Sequence, residues 1–151
     1  MKTTQRFLLA IFALGLLFTT TSCTKTNDPV NDLKNQISYN GSIMAIIASS
    51  YYIPGNHTEF MFSTETVQSS MFNISSDLID GNTHDITSLS ETQQFDFHYK
   101  DINFSKTELL GWTGTFKVIK STNPVKYVVT FEFKQGSTNS ILANFDVTSG
   151  S

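Results

Sequence analysis

Residues 125–134 read VKYVVTFEFK, and this stretch decides the fold. Val125, Tyr127, Val129, Phe131 and Phe133 share one parity, and Lys126, Val128, Thr130, Glu132 and Lys134 the other. Successive side chains of a strand point to opposite faces, so this alternation predicts a strand with one buried and one wet face. Turn-forming residues bracket it: Ser121-Thr122-Asn123-Pro124 before, and Gln135-Gly136-Ser137-Thr138-Asn139 after. On one side Thr113–Lys120 carries Phe116 and Val118 inward. On the other, Ile141, Ala143, Phe145 and Val147 form a last inward row. Three strands joined by short turns predict an antiparallel meander.

The same reading extends toward the N-terminus. Phe95, Phe97 and Tyr99 alternate with Asp96, His98 and Lys100, after which the apolar parity jumps to Ile102 and Phe104. A one-residue slip turns every side chain over, so Lys100-Asp101 is expected to be a β-bulge or a sharp bend. Further strands are expected at Ser70–Ser75, with Phe72 and Ile74 inward and Met71 and Asn73 opposite, and at Glu59–Thr66 around Phe60 and Phe62. Asp80-Gly81-Asn82 is a turn, and Ile86 and Leu89 pin the loop beyond it. Asn40-Gly41, between Ile37-Ser38-Tyr39 and Ser42–Ile53, is a strong hairpin signal because a type I′ turn needs positive φ at both central residues. Ile43 to Ala48 is apolar on both parities, but the flanking turns and Tyr51, Tyr52 and Ile53 favour a strand. Eight or nine short strands with frequent turns predict an all-β domain over residues 36–151, an antiparallel sandwich or a lipocalin-like barrel.

The N-terminus has another character. Lys2 and Arg6 precede an apolar run, Phe7–Phe18 (FLLAIFALGLLF), which leads through Thr19-Thr20-Thr21-Ser22 to Cys23, the sole cysteine of the 151 residues. A basic start, an apolar core and a small-residue exit mark a cleaved signal peptide over residues 1–22. The run falls short of the roughly 20 apolar residues a membrane-spanning helix needs. Thr20-Thr21-Ser22-Cys23 resembles the lipobox of bacterial lipoproteins, with Thr20 where that family prefers Leu. The resemblance implies a diacylglyceryl-modified Cys23 at the start of the mature chain. It also implies an outer-membrane address, facing the periplasm or the cell surface, because Thr24 is not the Asp associated with inner-membrane retention. Polar residues 23–35 then read as a tether.

A second resemblance lies in the C-terminal meander. Gly111–Val118 (GWTGTFKV), Tyr127–Phe133 and Ala143-Asn144-Phe145-Asp146 look like the closing hairpins of small lipoproteins of gut Bacteroidota. That family implies a lipocalin-like or sandwich β-domain and brings no catalytic residues.

Composition narrows the function. The formal charge is −3, and the leader holds Lys2 and Arg6 but no acid, so the remainder is more acidic still. With no Lys/Arg cluster to neutralise phosphates, a nucleic-acid partner is not expected. One cysteine excludes a disulfide framework and a thiolate zinc site. His57, His84 and His98 have no metal-pair spacing, and no phosphate-cradling glycine motif occurs, so no metal and no cofactor is expected.

Four residues remain as candidates for ligand binding. Asp96, His98 and Lys100 share a parity and could hold an anionic or sugar group, or form an ordinary charged outer face. Trp112, the single tryptophan, could be a sugar-stacking platform or a core aromatic. The expectation is a non-enzymatic lipoprotein, held to a membrane through Cys23, whose β domain binds a small molecule, a glycan or an envelope protein. Alternatives are an accessory subunit of an envelope assembly or, less favoured, a small hydrolase using carboxylates such as Asp77, Asp80, Asp85, Glu91 and Asp96.

Overall fold

The computed structural model describes Val30 and residues 32–148. The expected signal peptide of residues 1–22, the expected lipidation site Cys23 and most of the expected tether lie outside the described residues. The domain is all β. Ten strands follow one another: β1 (Gln36–Tyr39), β2 (Ser42–Tyr52), β3 (His57–Thr64), β4 (Ser70–Ser75), β5 (Thr83–Asp85), β6 (Phe95–Tyr99), β7 (Ile102–Ser105), β8 (Trp112–Thr122), β9 (Val125–Gln135) and β10 (Asn139–Thr148). They form one antiparallel sheet in the order β5-β8-β9-β10-β1-β2-β3-β4-β6-β7.

β9 sits inside this sheet, paired along its length with β8 and β10. Tyr127, Val129, Phe131 and Phe133 are buried while their alternates are partly wet, as the sequence pattern demands. Val125, on the same parity, lies at the strand's end and is exposed. The Asn40-Gly41 turn has both residues at positive φ, 49° and 81°, and joins β1 to β2 in the expected hairpin.

β2 makes the sheet curl. Its first residues pair with β1 and its last with β3, and the register slips between Ile46 and Ala48. Ile46 is opposite the buried Thr64 and Ser49 opposite the buried Phe62, so Ile47 is the extra residue of a β-bulge. The inward set changes parity there, from Met44 and Ile46 to Ser49 and Tyr51, and the second apolar parity of this stretch comes from Ile43 and Ile47, which face solvent. The strand bends, and the β3-β4-β6-β7 half folds over the β8-β9-β10 half.

At Lys100-Asp101 the chain reverses in a two-residue hairpin turn, with Tyr99 paired to Ile102 and Lys100 at φ 55°. Of the two alternatives expected there, the sharp bend is found. A tight turn and a bulge shift the apolar parity in the same way. β5 is absent from the sequence expectation; it is a short edge strand on β8 with no buried residue of its own.

The described part of the expected tether is not free of the domain. Val30 and Leu33 are 8% and 6% exposed. Val30 lines a shallow cleft with Thr83, Thr115, Lys117, Thr130 and Glu132 on the outer face of β5, β8 and β9. Asn35 accepts from the Ile46 N–H through its carbonyl (2.9 Å) and from the Asp146 N–H through Oδ1 (2.9 Å).

Candidate functional site

The interior is occupied by the protein's own rings. Phe72 of β4, fully buried, lies 5.3 Å from the ring of Phe116 and 5.7 Å from that of Phe131, both on the facing half. Phe97 meets Phe131 and Phe133 at 5.2 Å each, and Phe62 meets Phe145 at 5.0 Å. Edge-on and tilted contacts at these separations are the favoured packing of aromatic rings. Where a lipocalin-like barrel would hold a ligand, phenylalanines of the two halves interdigitate.

Trp112 belongs to this interior. It is 4% exposed and lies parallel to Phe104, 5.0 Å away with 6° between planes. It is therefore a core aromatic, and a sugar has no access to its face. Gly114, two residues on, has φ 136°, and a Cβ there would run into the Glu132 carbonyl oxygen. The glycine allows β8 and β9 to approach closely beside the indole.

Lys100 is separated from its expected partners as well. From the hairpin turn its ammonium lies over the rings of Tyr39 and Tyr99, at 5.2 and 5.6 Å, a cation–π arrangement. Burial pushes the Tyr99 phenol above its ordinary pKa, and its hydroxyl faces the Met44 sulfur at 3.6 Å.

Asp96 and His98 do stand on one surface, the outer face of the β2-β3-β4-β6-β7 half. Ladder register arranges that face in rows across the strands. One row runs Tyr52, Glu59, Asn73, Asp96, Ser105. The next runs Ser50, Met61, Met71, His98, Asn103. In the first row Asn73 donates through Nδ2 to Asp96 (3.3 Å), while its Oδ1 is buried and finds no partner among the described residues. A buried acceptor left unpaired costs free energy and calls for an explanation. Tyr52 at the row's end is 59% exposed, and His57 approaches Glu59 at 3.7 Å from the adjoining position. The neighbouring ridge of β2 exposes Ile43 and Ile47, 60% and 61%.

The remaining carboxylates hold their own loops. Asp80 accepts from the Asn82 backbone N–H (2.8 Å), the Asn82 amide (2.7 Å) and the His84 ring (2.9 Å). These bonds, the backbone one foremost, lower its pKa to about 2. Asp85 accepts from Thr87, and Asp77 from Gln93. Among the described residues, no group of three His, Cys, Asp or Glu side chains is placed to share a metal ion.

Sequence reasoning set Met71 and Asn73 on the outer parity of β4 but gave them no role. Tyr52, Glu59 and Met61 were passed over. The missing information was strand order: β4 pairs with β6 across the intervening β5 and its loops. No signal within one strand announces which strand lies next to it.

Comparisons with protein-family models, with curated proteins and with solved structures each return no match.

Proposed function

We propose that the protein is a membrane-anchored, outer-membrane lipoprotein whose β domain recognises a ligand without catalysis, through the outer face of β2, β3, β4, β6 and β7. The observation carrying this reading is the Tyr52–Glu59–Asn73–Asp96 row: an exposed aromatic ring in line with two solvent-reachable carboxylates. The ring-filled interior supports it by moving recognition to the surface. The chemistry suits a glycan, whose C–H face packs on a tyrosine ring while its hydroxyls donate to the carboxylates of Glu59 and Asp96. The lipobox-like Thr20–Cys23 supports the anchor. Two acyl chains hold a protein stably at a bilayer.

Two measurements test the halves of this reading separately. In the native host Cys23→Ala should release the protein from the membrane fraction, and full retention would refute the lipid anchor. For the face, the purified chain is titrated with envelope-derived oligosaccharides. Binding should weaken at least tenfold in Tyr52→Ala, which keeps the wild-type unfolding midpoint, and in Asp96→Ala, which loses the Asn73 hydrogen bond but still unfolds cooperatively. Binding indifferent to both changes, or none to any oligosaccharide, would refute glycan recognition there.

A second reading has its own observation. Ile43, Ile47, Tyr52 and Ile53 expose a line of apolar side chains along and just beyond β2. Contiguous exposed apolar surface marks protein–protein contact sites, as an accessory subunit of an envelope assembly would need. Ile43→Lys with Ile47→Lys would then break co-purification of a specific envelope protein and leave oligosaccharide binding unchanged.

A further inference from the structure

We infer that Met61, Met71 and His98 form a binding site for monovalent copper on the outer sheet face. The three are direct neighbours across consecutive strands: Met61 is paired with Met71 between β3 and β4, and Met71 with His98 between β4 and β6. Directly opposed residues on one face have Cβ atoms about 4.5–5.5 Å apart. An ion above Met71 is thus within reach of the flexible thioether on one side and the imidazole on the other.

The donor set decides which ion. Soft thioethers select Cu(I), imidazole also suits copper, and calcium and magnesium prefer oxygen ligands. The carboxylates of this face, Glu59 and Asp96, stand in the adjacent row and leave the sulfur row to itself. A thioether has no proton to lose on binding, unlike a cysteine ligand.

The state of the donors agrees. Met61 is 39% exposed, and Met71 and His98 are half-buried, so solvent reaches the row. Neither sulfur nor the His98 ring hydrogen-bonds or ion-pairs with a described residue. Met44, which points inward, differs: its sulfur faces the hydroxyls of Thr66 (3.5 Å) and Tyr99 (3.6 Å). Two adjacent methionines facing water are also uncommon strand residues, since branched and aromatic side chains fit a pleated surface better. The site requires neither the lipid anchor nor the Tyr52 row.

The test is a competition for Cu(I) against a chromogenic bidentate chelator, under reducing conditions. It uses the full chain carrying Cys23→Ser, so that no thiol binds the ion. The chain should withdraw one Cu(I) per molecule, and equimolar Zn2+ should not displace it. Met61→Leu, Met71→Leu and His98→Ala should each weaken the competition at least tenfold, whereas Met44→Leu should leave it unchanged. Methionine-to-leucine exchange nearly conserves volume, so the folded domain should survive it. An X-ray absorption spectrum of the copper-loaded chain should show sulfur in the first coordination shell. Failure of the Cys23→Ser chain to compete, or undiminished competition by a Met61→Leu/Met71→Leu double variant, would overturn the assignment.

Discussion

Replacing Phe72 by alanine tests the filled interior on which the proposal of surface recognition rests. Phe72 is fully buried at the centre of β4. Its ring lies 6.1 Å from Phe60, 6.0 Å from Phe95, 5.3 Å from Phe116, 5.7 Å from Phe131 and 6.4 Å from Phe133. Removing a buried phenylalanine side chain costs about 3–5 kcal/mol, most where the surroundings cannot close over the cavity. Here the neighbours come from β3, β6, β8 and β9, each fixed by its own ladder, so the upper part of that range applies. With a urea dependence of roughly 1.5–2 kcal/mol per molar, the unfolding midpoint should fall by about 2–3 M. Phe72→Leu keeps most of the volume and should lose only about 1–2 kcal/mol, giving a folded reference. Urea titration followed by the fluorescence of Trp112 reads both. A loss below about 2 kcal/mol for the alanine variant would mean an interior slack enough to collapse. The idea that no ligand fits between the halves would then fail.

Gly114→Ala should destabilise the domain by at least about 2 kcal/mol, since a φ of 136° is restricted to glycine and the new Cβ would also meet Phe133 Cα at 2.9 Å; denaturant unfolding checks it, and a neutral effect would contradict the close approach of β8 and β9. Asp80 ionises in the folded chain at about 2, below its ordinary 3.8, so its hydrogen bonds hold the turn fully above pH 4 and are lost as pH falls through 2. Amide exchange of Asn82 should therefore quicken, relative to its intrinsic rate, between pH 4 and pH 2, and in Asp80→Asn that dependence should flatten. Trp112, stacked on Phe104 and 4% exposed, should show blue-shifted emission, poor quenching by iodide and no response to a sugar bound at Tyr52.

The sequence made the fold legible wherever one face of a strand is dry and the other wet. β9 and β10 follow their alternation nearly residue by residue because both lie inside the sheet. Legibility failed where burial does not shape the pattern. Thr83-His84-Asp85 became a strand through backbone bonds to β8, and its side chains do not reveal it. The bulge or sharp bend expected after Tyr99 is the sharp bend of a hairpin turn, while the bulge at Ile47 lies where apolar residues on both parities obscured the phase. Of the candidate ligand residues, Asp96 and His98 stand on the outer face, Lys100 was displaced by the turn and Trp112 went inside. Parity assigns a face, but only register across strands assigns neighbours. For that reason the Tyr52 and Met61 rows were invisible until strand order was known.

The pairing of β1 with β10 bears on how the chain can be delivered. Gln36 lies opposite Asn144, and Tyr39 opposite Ile141, so the first strand of the domain is completed by the last. A chain emerging N-terminus first, from a ribosome or a membrane pore, exposes β1 long before its partner exists. Until residues 139–148 appear, Ile37 lacks half its ladder, and the inward side of β9 lacks the row Ile141, Ala143, Phe145, Val147. Non-local closure of this kind is slow, because the entropy of joining distant segments is lost before the contacts repay it. The topology thus builds in a delay: the domain locks only when its final strand has emerged to complete the first.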